Sequence, residues 1–269
     1  VQTPTLAMLV EREKSIENFQ KEKYYLVHLL MDGLDAVSNR IKEKSAAVQM
    51  MEDMKDETAQ ILSVKKEKKK VQPPKLYDLT TLQREANRLL GFTAQQTLDY
   101  TQSLYEKKLV TYPRTDARVL STAVAKEIYK NISGLRNYQQ AGAAAAEVLG
   151  MESWKNIAKT RYVNDKQITD HYAVIPTGQG LNALSTVSST AKGVYDLIVR
   201  RFLSIFYPPA VYQKVAIVTK IKEESFFSSF KVLAEEGYLK VAGIPKKKAS
   251  QTATKDSGNG NSENNNNDT

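Results

Sequence analysis

The chain has 269 residues, with 39 Lys and Arg against 30 Asp and Glu and a formal net charge of +9. That length can bury one large or two ordinary cores, and the basic balance suits a polyanionic partner, nucleic acid ahead of a membrane surface. Cysteine is absent, which excludes disulfides and thiolate zinc sites. No apolar run reaches the roughly 18 residues of a membrane span and no signal peptide is legible, so a soluble intracellular protein is expected.

The opening Val1-Gln2-Thr3-Pro4-Thr5-Leu6 lacks an initiator methionine and reads as the start of a fragment. Residues 4–16 carry Leu6, Met8, Leu9 and Val10 ahead of charged residues, the pattern of a short amphipathic helix. Tyr24 to Met31 is a β-rich apolar run ended by Asp32-Gly33, a strong hairpin signal, with Leu34 to Val37 returning. His28, inside that run, reads as structural. Residues 45–58 look helical and 60–71 look like a strand bearing Lys65, Lys66, Lys68, Lys69 and Lys70. Such a run is either a solvated edge or a contact for a phosphate backbone.

Pro73-Pro74 marks a boundary. Beyond it, Leu79, Leu82, Ala86 and Leu89 share one helical face, Thr80 and Gln83 fit a capping box, and Gly91 fits a C-cap. A short Gly-containing turn leads to a second helix with a Thr93/Gln96 box. Leu98, Thr101 and Tyr105 line one face of it and Gln102 and Glu106 the next, and the pair resembles a helix-turn-helix. Ser121 can cap a third helix, and Asn137 to Leu149 is an alanine-rich fourth. Ala191 to Tyr207 is a further helix stopped by Pro208-Pro209. Val215, Ile217, Thr219 and Ile221 alternate, as do Phe226, Ser228, Phe230 and Val232, with Glu223-Glu224 between them as a second hairpin turn. A helical stretch of roughly 130 residues between β segments predicts a β domain interrupted by a helical one. Residues 250–269, mostly Ser, Thr, Gly and Asn, cannot bury enough apolar surface to offset ordering and are expected to be disordered.

The chemistry concentrates in Leu109-Val-Thr-Tyr-Pro-Arg-Thr-Asp116. A phenol has a pKa of about 10, so a nucleophilic tyrosine needs a neighbouring cation or base. Arg114 stands two residues from Tyr112, and Pro113 holds Tyr112 in extended geometry on a stiff turn. The planar guanidinium suits a pair of phosphate oxygens. The helix bearing Gln102 and Glu106 feeds directly into this segment, so both should reach the tyrosine. A second specific stretch, Thr169-Asp170-His171-Tyr172-Ala-Val-Ile-Pro-Thr177, contains one of only two histidines.

In combination these segments resemble the type IA DNA topoisomerases, most closely the topoisomerase III branch. Val1 to Leu6 is similar to the end of that family's Gly-Arg-Val-Gln-Thr-Pro-Thr-Leu motif, and Asp78 to Asn87 to the opening of its helical domain. Ser103 to Glu106 with Thr111 to Asp116 is similar to its nucleophile segment, and His171 to Thr177 to its histidine segment; the likeness runs from residue 1 to about 243. It implies an α+β fold in which a β-rich arch domain is interrupted by a mostly α-helical, helix-turn-helix-containing (CAP-like) nucleophile domain. The division expected is residues 1–16 as the end of a helical domain, 17–72 as the first β part, 73–189 as the nucleophile domain, 190–245 as a return helix with the second β part, and 246–269 as a disordered tail.

The resemblance also implies that Tyr112 attacks a single-stranded DNA phosphodiester and is joined to the 5′ phosphate, after which strand passage and religation proceed without ATP. Arg114 would stabilise charge on the phosphate and His171 would hydrogen-bond it. Glu106 and Asp116 are candidates for orienting Arg114 or moving a proton, each with an ordinary surface or capping role as the alternative. Gln102, Thr111, Thr115, Thr177, Lys107, Lys108 and Arg118 are candidates for DNA contacts. No Gly-x-x-x-x-Gly-Lys-Ser/Thr loop is present. Magnesium is implied for the intact enzyme, with ligands in a Toprim domain that this sequence lacks, since it contains no Asp-x-Asp. Implied partners are single-stranded DNA, the Toprim domain, and a helicase or single-strand-binding protein, in a cytoplasmic, nucleoid-associated setting.

Four positions depart from the family pattern. Ala117 replaces a serine, Lys107 and Lys108 replace a small residue and a glycine, and Tyr172 stands where a second histidine or a glutamate is common. A non-cleaving helix-turn-helix DNA-binding module is the alternative reading. A tyrosine recombinase is a third, for which no second-arginine framework is visible.

Overall fold

A computed structural model of the chain describes residues 2–31 and 33–243. The expected disordered tail, Asp32 of the first hairpin and Val1 of the opening motif lie outside the described residues.

One antiparallel sheet gathers the strands from both ends of the chain. Its members are β1 (His28–Met31), β2 (Leu34–Val37), β3 (Gln60–Val71), β4 (Ala210–Ile221) and β5 (Glu224–Glu235), in the order β1-β2-β5-β4-β3. Val71 pairs with Ala210, so the chain leaves β3 and re-enters β4 at adjacent points. That adjacency lets the ribbon accept a long helical excursion without a break in its ladder. Gly33, at φ +73°, supplies the left-handed backbone of the first turn. The second hairpin differs from expectation: Ile221 pairs with Glu224, so its turn is Lys222-Glu223, with Lys222 at φ +51°, and Glu224 belongs to β5.

Between β3 and β4 lie α3 (Leu79–Leu90), α4 (Ala94–Glu106), α5 (Thr122–Gly134), α6 (Gly142–Met151) and α7 (Ser189–Ser204), with α1 (Gln2–Glu17) and α2 (Lys44–Asp53) before them and α8 (Leu239–Ala242) after. Asp78, not Thr80, caps α3: its carboxylate accepts from the Thr81 N–H at 2.6 Å. Gln83 instead donates to the Ala94 carbonyl at 2.9 Å, tying α3 to the start of α4. Gly91 ends α3 at φ +74°, and the Thr93/Gln96 box opens α4, both as expected.

The helical core centres on α7, whose Tyr195, Ile198 and Phe202 are fully buried alongside Leu82, Leu104, Ile128 and Ile175. Arg201 fastens α7 to the start of α3, donating to the Lys75 carbonyl and the Tyr77 hydroxyl, both at 3.1 Å. A smaller core, with Val27, Ala36, Ala47, Ile221 and Phe226, lies where α2 meets the sheet. Two expected apolar faces are corrected. Leu89 is exposed, because the α3 face that packs runs through Leu82 and Ala86 towards Leu90, whose side chain lies against Gly193 of α7. α1 buries no residue and leaves Leu6, Met8 and Leu9 open, so its helix is present without the packing that an amphipathic reading predicts. Among the described residues no helix is long and apolar enough to cross a membrane.

Candidate active site

The site is built where the chain reverses out of α4. Lys108 adopts φ +61° and its N–H donates to the Tyr105 carbonyl at 2.8 Å; the Leu109 N–H then donates to the Leu104 carbonyl at 2.9 Å. This turn drops Leu109 and Val110 into the core and leaves Thr111-Tyr112 running beside the histidine segment. A left-handed residue is what a glycine supplies without strain, which gives a physical reason for the glycine expected at this position.

Three threonines lace the two segments together. The Thr111 hydroxyl donates to the Ala173 carbonyl and accepts from the Ile175 N–H, each at 3.0 Å, while the Thr111 N–H donates to the Ile175 carbonyl at 3.0 Å. Thr115 donates to the His171 carbonyl at 2.9 Å and accepts from the Ala117 N–H at 3.1 Å. Thr177 donates to the Lys108 carbonyl at 2.6 Å. The histidine segment is braced from behind, where the Ala173 N–H donates to Val119 O and the Val174 N–H to Tyr77 O. Gly134 on α5 permits the backbone at Gly178 to pass against the helix, because a Cβ there would overlap the Gly178 carbonyl.

The lacing sets Tyr112 against His171, ring centroids 4.4 Å apart and tilted by 40°, and places Tyr105 edge-on to Tyr112 at 5.4 Å. All three rings line an open cleft of about 570 Å³ with Glu106, Lys108 and Tyr172. A smaller hollow of about 280 Å³ carries Arg114, Asp116 and Asp170, and His171 borders both. Among the described residues, the Tyr112 hydroxyl, the His171 ring, the Arg114 guanidinium and the Asp116 carboxylate have no hydrogen bond or ion pair. A half-buried phenol beside an exposed imidazole and an unpaired guanidinium is an arrangement with capacity for an anion. Burial raises the Tyr172 phenol above its ordinary range, which disfavours its ionised form.

The other expected residues divide. Glu106 lines the cleft, and its carboxylate accepts from Gln102 Nε2 at 3.1 Å and makes no ion pair with Arg114. Lys108 is exposed in the cleft, whereas Lys107 Nζ donates to Thr186 at 3.2 Å. The hydroxyls of Thr111, Thr115 and Thr177 are spent on the lacing, and Arg118 Nε donates to the Leu76 carbonyl at 3.1 Å, so these four act in the framework. Tyr105, Tyr172 and Gln179 line the cleft without having been expected there. Tyr105 had a signal: it lies on the α4 face adjoining Glu106, yet the buried stripe is Thr97, Thr101 and Leu104. Among the described residues no group of three or more His, Cys, Asp or Glu could hold a metal ion.

A sequence model described as DNA topoisomerase matches residues 1–267. The chain is 36% identical to DNA topoisomerase 3 of Bacillus licheniformis over 249 residues and 36% identical to that of Bacillus subtilis over 251, in each case across 90% of this chain and 34% of the relative. Its fold is similar to full-length topoisomerase I from Thermotoga maritima, with a TM-score of 0.65 and 24% identity over 90% of this chain and 39% of that one. The chain belongs to the type IA DNA topoisomerase family, and within it to the topoisomerase III branch. It spans about a third of the length of the curated relatives it matches.

Proposed function

We propose that this chain carries the nucleophile of a type IA topoisomerase reaction on single-stranded DNA. The Tyr112 oxygen bonds to phosphorus, the P–O3′ bond breaks, the phenol loses its proton and the departing 3′ oxygen gains one. One phosphodiester is exchanged for another, so the religating attack by the 3′ hydroxyl needs no ATP. Arg114 stabilises the charge that grows on the non-bridging oxygens, and His171 hydrogen-bonds the same phosphate and relays the proton. Strand passage between cutting and rejoining gives relaxation or decatenation. The contact between Tyr112 and His171 in an open cleft, with unpaired Arg114 in the smaller hollow that His171 also borders, carries this reading. The Toprim domain implied by the family resemblance would bring the magnesium, and a helicase or single-strand-binding protein would present the strand in the nucleoid.

The test is covalent capture. The chain is mixed with 3′-end-labelled single-stranded DNA and magnesium, with and without a Toprim domain added in trans, then denatured. Label should move onto the protein, and Tyr112→Phe should abolish the transfer. Label that moves only from 5′-labelled DNA would mean the opposite polarity and refute the reading. Tight binding with no adduct under either condition would leave a non-cleaving DNA-binding module.

A further inference from the structure

The cleft that holds Tyr112 is larger than one phosphate requires, and part of its wall takes no part in the lacing. Its volume of about 570 Å³ falls in the range of roughly 300–1,000 Å³ typical of small-molecule pockets. Tyr172 and Gln179 line it from either end of the stretch that Thr111 and Thr177 hold in place. Tyr172 is half-buried: its ring packs against the helical core, and its hydroxyl has no hydrogen bond among the described residues. Gln179 is exposed on a stiff mount. Gly178 at φ +73° and Gly180 at φ +70° flank it, and its own N–H donates to the Thr177 hydroxyl at 3.1 Å. Both glycines pack closely, since a Cβ would overlap the Asn131 carbonyl at Gly178 and the Lys107 carbonyl at Gly180. The Gln179 side-chain amide, which can both donate and accept, has no partner among the described residues. A free amide on a rigid mount is what hydrogen-bond readout of a ligand needs.

We infer that this wall receives the base of the nucleotide retained on Tyr112, with Tyr172 as its stacking platform and Gln179 as the residue that reads its edge. The inference rests on the proposed function, because a 5′-phosphotyrosine fixes which nucleotide stays. The phosphorus on Tyr112 belongs to the first nucleotide of the downstream strand, and the base of that nucleotide lies one sugar away. Arg114 and His171 take the phosphate, and the sugar carries the base into the cleft. Stacking on an aromatic ring tolerates any base, whereas a glutamine amide pairs bidentately with the N6/N7 edge of adenine. The site therefore accepts every base and prefers adenine. Holding that base keeps the phosphotyrosine aligned while the 3′ end is away, which religation requires.

The experiment measures, by anisotropy, binding of the full chain to short 5′-phosphorylated, 3′-dye-labelled oligothymidines whose first nucleotide is adenine, thymine or abasic. Wild type should bind the thymine-first strand about five-fold or more tighter than the abasic one, and the adenine-first strand about five-fold tighter again. Tyr172→Leu, which keeps an apolar side chain against the core, should cut the advantage of either base over the abasic sugar about five-fold, and Tyr172→Phe should retain it. Gln179→Leu should bind the adenine-first and thymine-first strands equally. None of these variants should change binding of the abasic strand, a readout that a merely structural role would move, and circular dichroism checks each fold. Equal binding of all three strands by wild type, an equal loss on the abasic strand, an adenine preference that survives Gln179→Leu, or dependence on the second base in place of the first would overturn the inference. No bond is broken in this assay, so absence of an adduct in the capture experiment refutes the cleavage reading, while dependence on the first base decides this one.

Discussion

Thr111→Val tests whether Tyr112 is positioned by the hydroxyl lacing. Valine has nearly the same shape, so no cavity opens, but two hydrogen bonds at 3.0 Å are lost. Ile175 is fully buried and its N–H has the Thr111 hydroxyl as its partner, so water cannot replace the lost acceptor. Stranding one buried donor costs about 1–3 kcal/mol, and the Ala173 carbonyl adds to it; we expect a net loss of about 2 kcal/mol. Urea unfolding followed by fluorescence of Trp154, the sole tryptophan, measures this. The effect on chemistry should be separate and larger. Tyr112 is the next residue, and a displacement of about 1 Å can cost on the order of 100-fold in rate. Single-turnover adduct formation, run where every variant is folded, should therefore fall more than about ten-fold for Thr111→Val. Thr111→Ser, which retains the hydroxyl, should stay near wild type in both assays. Wild-type stability and wild-type cleavage in Thr111→Val would refute the lacing, and a loss of stability alone would show that it holds the fold without aligning Tyr112.

Three further outcomes follow from the geometry. Lys108→Gly should stabilise the protein by about 1 kcal/mol by removing a non-glycine residue from φ +61°, while its lost cleft cation should flatten the salt slope of DNA binding by about 0.7; calorimetry and anisotropy read the two opposed effects. Asp78→Ala should cost about 1 kcal/mol through loss of the α3 cap, and Thr80→Ala should cost far less, as compared by urea unfolding. On the alkaline side, burial pushes Tyr77 up to about 12 against the favourable Arg201, and burial also raises Tyr138, Tyr195 and Tyr207. Folded pKa values above unfolded ones mean that the unfolded chain holds fewer protons once pH exceeds about 10, so stability falls from there upward. Phenolate absorbance should lag behind the exposed tyrosines and then rise together with loss of circular dichroism; gradual ionisation without unfolding would contradict the burial argument.

What was legible in the residues was whatever a local rule fixes. Gly91, the Thr93/Gln96 box and Ser121 mark helix ends because each satisfies backbone groups within three or four residues. Asp78 was missed because Thr80-x-x-Gln83 offered an equally good local pattern, and only the position of the preceding extended backbone chooses between them. The site divided in the same way. Tyr112, Arg114 and Glu106 lie within nine residues and could be read as a unit, but His171 reaches Tyr112 only through the pairing of Thr111 with Ile175 and of Val110 with Pro176, which no local rule encodes.

Lys108 shows most clearly what sequence chemistry leaves out. As a departure from a glycine it reads as one more cation near a DNA path. In the structure the same residue also holds the left-handed turn that lets α4 end and the Thr111-Tyr112 segment begin. Its charge and its backbone therefore pull in opposite directions, one favouring an anion in the cleft and the other straining the turn that presents Tyr112. Lysine is tolerable there because the strain of a single left-handed residue, about 1–2 kcal/mol, is small beside the packing of Leu109 and Val110 that the turn makes possible. A β-branched residue at position 108 would strain the turn further and bring no cation, so Lys108→Val should lose both stability and DNA affinity, whereas Lys108→Gly should lose affinity alone.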